Sequence, residues 1–186
     1  MKMSRGNHKI GTDTLILNMC SATDCPSRKL GYCKLGKRCY ALKAERLYPQ
    51  CLPFRRMQEQ QWDSLTVQFM ADCISETVRR ARGVPVTHLR FSEAGDFRTQ
   101  EDVDRMSVLA DLLDGTVVVY GYTARKDLDF SRIHSNMVVN GSSFMASNEF
   151  RAVPEYTGEN IRCKMNCRIC SLCTEGRGRV IEVKYH

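Results

Sequence analysis

Ten cysteines stand in this chain of 186 residues, and eight of them fall into two groups. Late in the chain, Cys163, Cys167, Cys170 and Cys173 make a C-x3-C-x2-C-x2-C run. Thiolates two or three residues apart in one short loop are the ligand pattern of iron–sulfur cubanes. Structural zinc, the alternative, usually takes its ligands as two close pairs with a longer spacer between them. Earlier, Cys20, Cys25, Cys33 and Cys39 have four, seven and five residues between them. That looser set follows straight after an apolar strand-like run. Cys51 has no close partner and Cys73 falls on an apolar helical stripe, so both read as structural thiols. The spacing allows two metal sites, or one site to which both groups contribute.

Beyond the thiols, Glu93, Asp96, Tyr120 and Arg125 are the candidate catalytic side chains, and Glu93, Tyr122 and Asn140 the candidate cofactor contacts. Glu93 and Asp96 read equally as loop carboxylates that cap the next helix. Arg125 is a partner for a carboxylate or phosphate, or else an exposed surface arginine. Tyr120 and Tyr122 flank Gly121, and only one of them is expected to face the site. Asn140-Gly141 has the composition of a turn. His8, His88 and His134 are isolated, and His186, the last residue, is a further donor candidate near the quartet. No Ser–His–Asp or Cys–His arrangement and no Gly-rich phosphate loop can be read from the spacing.

These residues need elements to position them. Thr14–Met19 is a short apolar run bounded by polar residues, the pattern of a buried strand. A Pro- and Gly-bearing loop follows from Cys20 to Arg38, then helical sequence from Cys39 to Arg46 that stops before Pro49. One long helix is expected from about Pro53 to Arg82, with its apolar residues four apart and Gly83 as its stop. Strands follow at Val86–Phe91, Thr116–Tyr120 and Met137–Val139. Thr99 to Asp102 has the form of a capping box opening a helix to Leu113, and a short helix is expected over Lys126–Ile133. A final strand is expected at Arg179–Tyr185. Strand, loop and helix in repetition imply parallel strands with right-handed crossovers. The expected fold is α/β, a parallel sheet or reduced TIM-type barrel with cysteine-rich loops at its C-terminal rim. The domain reading is a single one over 1–186. It has βα units from 14 to 160, the first cysteine loop at 20–39, and the quartet with a closing strand over 161–186.

Charge is uneven. Residues 1–60 hold twelve Lys/Arg against four Asp/Glu, while the rest of the chain is close to neutral, for a total of +7. A basic segment points to nucleic acid or another anionic partner; it also helps to keep neighbouring thiols ionised. No run approaches the roughly 20 apolar residues of a membrane span, and no apolar leader core precedes the first strand. The expectation is a cytoplasmic protein without a membrane partner, in a compartment that keeps thiols reduced and so favours metal over disulfides.

Asp24-Cys25-Pro26-Ser27, then Cys33, then Cys39-Tyr40-Ala41 with Lys43-Ala44-Glu45-Arg46, resembles the cysteine loop of phage-encoded proteins named for gene product eighty-eight. Arg90-Phe91-Ser92-Glu93-Ala94-Gly95-Asp96-Phe97 and the closing quartet are similar too, so the resemblance covers residues 15–186. It implies an iron–sulfur protein of radical-SAM-like architecture, in a host's cytoplasm, with Cys25, Cys33 and Cys39 as ligands in the first loop and Cys20 either a fourth thiolate or absent from a set that leaves one iron open. In radical S-adenosylmethionine enzymes the cysteine loop after the first strand leaves one iron open to the cosubstrate. A Gly-Gly-Glu-like segment after the second strand meets the methionine amino group, and Ser92-Glu93-Ala94-Gly95-Asp96 lacks its paired glycines. The expected function is binding of one or two [4Fe–4S] clusters, with S-adenosylmethionine as cosubstrate if the chain is an enzyme. The alternative is a non-enzymatic module, stabilised by a cluster or by zinc, that binds nucleic acid or a host protein through its basic N-terminal third.

Overall fold

The computed structural model describes residues 1–176 and 178–184; His186 and the end of the expected last strand at Tyr185 lie outside the described residues. One sheet contains β1 (Ser4–Arg5), β2 (Thr14–Leu17), β3 (His88–Phe91), β4 (Val118–Thr123), β5 (Met137–Ser142), β6 (Asn148–Val153), β7 (Ile161–Arg162) and β8 (Val180–Lys184). Their spatial order is β1-β2-β3-β4-β5-β6-β8-β7. Every pairing is parallel except that of the β1 edge strand. The helices are α1 (Pro26–Lys29), α2 (Tyr40–Leu47), α3 (Cys51–Ser64), α4 (Val67–Arg80) and α5 (Gln100–Leu112). The protein is therefore α/β with an open, mostly parallel sheet.

From β2 to β6 the strands neighbour one another in chain order. Right-handed crossovers taken in one direction all fall on one face of a sheet. That face is apolar: Leu15, Leu17, Leu89, Phe91, Val119 and Val139 share a core with Trp62 of α3, Met70 and Ile74 of α4, and Val103, Met106 and Leu109 of α5. Alternation sends the intervening residues to the opposite face. There Ile16, Arg90, Tyr120 and Val138 form one row across the strands, and Tyr122, Asn140 and Asn148 the next. The step from β7 to β8 runs backwards, toward the middle of the sheet. Reversing direction moves a right-handed crossover to the other face, so the segment joining β7 to β8, which carries the quartet, is delivered onto the Tyr120–Tyr122 side.

Several expectations are corrected. The long helix is two: Thr66 caps α4 by accepting from the Phe69 amide at 3.2 Å, and the chain breaks at Leu65. A side-chain cap at a helix start stabilises by about 1 kcal/mol, enough to fix a boundary that apolar spacing alone does not show. Residues 126–133 contain no helix. Asp129 accepts from the Ser131 amide at 2.8 Å, and Gln100 holds the Asp129 backbone from both sides at 2.9 Å, so local bonds displace the helical ones. Asn140-Gly141 is strand, not turn, and the stretch after it contains β6. The Thr99 cap is as expected, accepting from the Asp102 amide. Among the described residues no helix is long and apolar enough to cross a membrane.

Candidate metal centre

All four quartet thiols line one cavity of about 310 Å³, together with Thr14, His88, Tyr120, Tyr122 and Ile181 of the sheet. Two asparagines of the sheet fix the segment there. Asn140 donates to the Cys173 carbonyl at 2.9 Å and to the Gly121 carbonyl at 3.0 Å. Asn148 donates to the Glu175 carbonyl at 2.9 Å and to the Asn140 side chain at 3.2 Å. Both are fully buried, which makes their bonds costly to lose. From the other side the Cys167 amide donates to the Lys9 carbonyl at 3.2 Å. Burial pushes the Cys173 thiol up to about 12, with the other three quartet thiols adding to it against the Tyr122 hydroxyl. Burial pushes Cys167 up as well, with Cys163 and Cys170 adding to it and Arg90 opposing.

The first loop sits at the C-terminal ends of β2 and β3. Cys25 precedes α1 and Cys39 precedes α2, each at the position of the helix cap. Burial raises Cys25 to about 11, and the neighbouring Cys33 contributes to the rise. Cys20 differs from these half-buried thiols. It is 1% exposed, its Sγ donates to the Asp96 carbonyl and accepts from the Asp96 amide, both at 3.4 Å, and burial lifts it to about 12. Gly95 makes this approach possible, because a Cβ there would lie 2.3 Å from the Cys20 sulfur. Cys51 and Cys73 are half-buried and stand outside both groups, Cys51 in the wall of a second cavity.

The loop is held by residues that sequence reading does not single out. Glu45 accepts from the Ala22 amide at 2.7 Å and from the Thr23 amide and hydroxyl at 2.8 Å, and pairs with Arg55 at 2.9 Å. Its one visible signal is being the only acid among the seven bases between residues 28 and 48. Asn18 donates to Gln58 at 2.7 Å and accepts from the Ala94 amide at 2.8 Å, joining the two rim loops. At the same rim Ser92 is buried with φ of 52°, a strained conformation for a residue with a side chain.

The candidate catalytic groups divide by role. Asp96 is a buried hub: its carboxylate accepts from the Ser27 hydroxyl at 2.5 Å, the Thr123 hydroxyl at 2.7 Å, the Phe97 amide at 2.8 Å and the Ala124 amide at 2.9 Å. Arg125 is 5% exposed and not a surface residue. It clamps the Phe97 and Arg98 carbonyls at 2.7 and 2.8 Å and pairs with Asp127 at 2.7 Å. Glu93 lies 3.8 Å from Arg55 and lines the second cavity, of about 250 Å³, with Asn18, Cys51 and Tyr48. Tyr120 and Tyr122 both face the quartet cavity, because residues two apart in a strand share a face. Burial raises both phenols, Tyr120 to about 12.

Between the two cysteine groups stands Arg90. Its guanidinium lies 5.2 Å from the Tyr122 ring centre and donates to the Tyr40 hydroxyl at 3.3 Å, while its Nε is shielded and has no partner. Tyr40 follows Cys39 and donates to the Glu93 carbonyl at 2.8 Å, so the contacts run from the first loop through Arg90 and Tyr122 to Cys173.

Among the described residues no three His, Cys, Asp or Glu side chains stand close enough to hold a metal ion. Tetrahedral zinc needs four thiolates about 2.3 Å from one point. Thiols arranged around a cavity, with the half-buried cation Arg90 beside them, fit in donor type the outside of a multinuclear core. Comparison with family models, with curated proteins and with solved structures finds no match.

Proposed function

We propose that this chain is an iron–sulfur protein of radical-SAM-like architecture, as its resemblance to the gene-product-eighty-eight family implies. The observation that carries the reading is the placement of Cys163, Cys167, Cys170 and Cys173 around one cavity, on the face of the sheet opposite α3, α4 and α5, with the strands from β2 to β6 laid in chain order. In-order parallel strands with helices on one face are the build of a partial TIM-type barrel, and the quartet segment then fills what would be its interior. When bound, a [4Fe–4S] cluster supplies one-electron chemistry, including reductive cleavage of a sulfonium cosubstrate.

The chain's own residues supply the rest. Cys163, Cys167, Cys170 and Cys173 would hold one cluster, with Asn140 and Asn148 fixing their backbone. Cys25, Cys33 and Cys39 would hold a second at the rim. Cys20, committed to Asp96, stays in the wall and leaves that site a thiolate short, which is what a cosubstrate position requires. Glu93 presents a carboxylate to the adjoining cavity, where it would meet an ammonium group. Asp96, Arg125 and Asn140 act as positioning residues, holding the rim loops and the quartet segment in place.

Iron and acid-labile sulfide per chain, measured after purification without oxygen, test the proposal. A brown protein is expected. The Cys163→Ser/Cys170→Ser and Cys25→Ser/Cys33→Ser pairs should each remove one part of the iron, and S-adenosylmethionine should alter the electron paramagnetic resonance only where the first loop is intact. A colourless protein with zinc and no sulfide would overturn the reading.

A further inference from the structure

From residue 28 to residue 48 the chain carries seven bases and one acid, and that acid, Glu45, is buried against Arg55. The surface made by this segment is therefore of one sign. Lys34, Lys37, Lys43 and Arg46 are exposed. Among the described residues none of these four has an ion-pair partner, which leaves them available to an external anion.

Aromatic residues are interleaved with these bases. Tyr40 and Tyr48 are 54% and 55% exposed, at the two ends of α2. Residues three and four apart on a helix are neighbours, so Tyr40, Lys43 and Leu47 form one outward stripe with Arg46 beside it. Tyr40 is exposed yet fixed, its hydroxyl held by the Glu93 carbonyl and by Arg90. Tyr48 lines the rim cavity with Asn18 and Glu93, so the stripe runs into the C-terminal rim. A basic track with fixed exposed rings is the arrangement that receives unpaired bases, each ring stacking on a base while lysines follow the phosphates.

We propose that the outward face of α2 and the loop before it bind single-stranded nucleic acid, presenting it to the rim of the sheet. The inference goes beyond the cluster reading and does not require it, since every group invoked belongs to the chain. The test is fluorescence anisotropy of the full chain, purified without oxygen, with labelled oligothymidine of about 16 nucleotides, long enough for one site. Binding at low salt is expected, stronger than to a duplex of equal length. Lys43→Ala/Arg46→Ala should reduce the slope of log affinity against log salt by about 1.4, the value for two phosphate contacts on a single strand. Tyr48→Ala, at an exposed ring, should weaken binding about tenfold and leave that slope unchanged. Absence of binding at low salt, preference for duplex, equal competition by polyglutamate, or wild-type affinity in both variants would each overturn the proposal.

Discussion

Glu45 anchors the first cysteine loop with a single carboxylate that receives two amides, a hydroxyl and a guanidinium. Burial works to raise its pKa, but the bonds from Ala22, Arg55 and Thr23 outweigh it and hold the group below the usual 4.5. A carboxyl depressed on folding contributes stability that is full above its unfolded value and is lost as pH falls through its folded value. The loop should therefore loosen below about pH 4.5, read as faster hydrogen exchange at Ala22 and Thr23 before the sheet itself opens. Glu45→Ala, which leaves the buried Arg55 with only the Ala41 carbonyl and the more distant Glu93, should cost about 3 kcal/mol in urea denaturation and abolish that pH dependence. Of this the sequence shows only an isolated acid in a basic run. Helical periodicity cannot say which charged residue of a helix turns inward, because that depends on where the preceding loop crosses it. The cysteines, in contrast, were legible as two groups from spacing alone.

At the scale of elements, β3 and β4 meet where Gly121 lies opposite Phe91 in the ladder. A Cβ at Gly121 would lie 2.4 Å from the Phe91 ring, so the absent side chain is what lets that ring pack flat against the sheet and meet Phe97, 5.2 Å away between centres. Gly121→Ala should destabilise by about 1–3 kcal/mol through overpacking, and adding Phe91→Leu should recover part of the loss in thermal unfolding. No recovery would place the glycine's role in the backbone. The strands carrying these residues were legible as apolar runs, and so was the Thr99 cap. The break between α3 and α4 was not, since the apolar residues keep their interval of four across it while Thr66 turns the chain. β6 was missed for another reason: Asn148, Glu149 and Arg151 are polar, and the strand is recruited by pairing with β5 and β8 and not by its own hydrophobicity.

At the scale of the molecule, the sheet ends in two-residue strands, β1 on one side and β7 on the other, which leave little edge for another chain to extend. The last long strand, β8, is inserted between β6 and β7. Parallel neighbours are usually joined by a helix that packs back on the sheet. Between β7 and β8 the joining segment instead carries the quartet, and its described residues include a short 3-10 turn at Cys167–Ile169. If an inorganic core takes the place of that helix's apolar face, removing iron with a chelator should speed amide exchange over residues 180–184 while β2 to β5 keep their protection. Equal protection with and without iron would show that β8 needs no such support.

The backward step from β7 to β8 has a consequence for the life of the protein in a cell. If a cluster stitches the margin of the sheet, as proposed, a polypeptide made when iron is scarce would carry an unfinished hem. Loose parallel strand ends are what housekeeping proteases grip, and such copies would be cleared instead of accumulating as inert precursors. The amount of this protein would then follow the iron supply with no regulator of its expression, its half-life serving as the gauge.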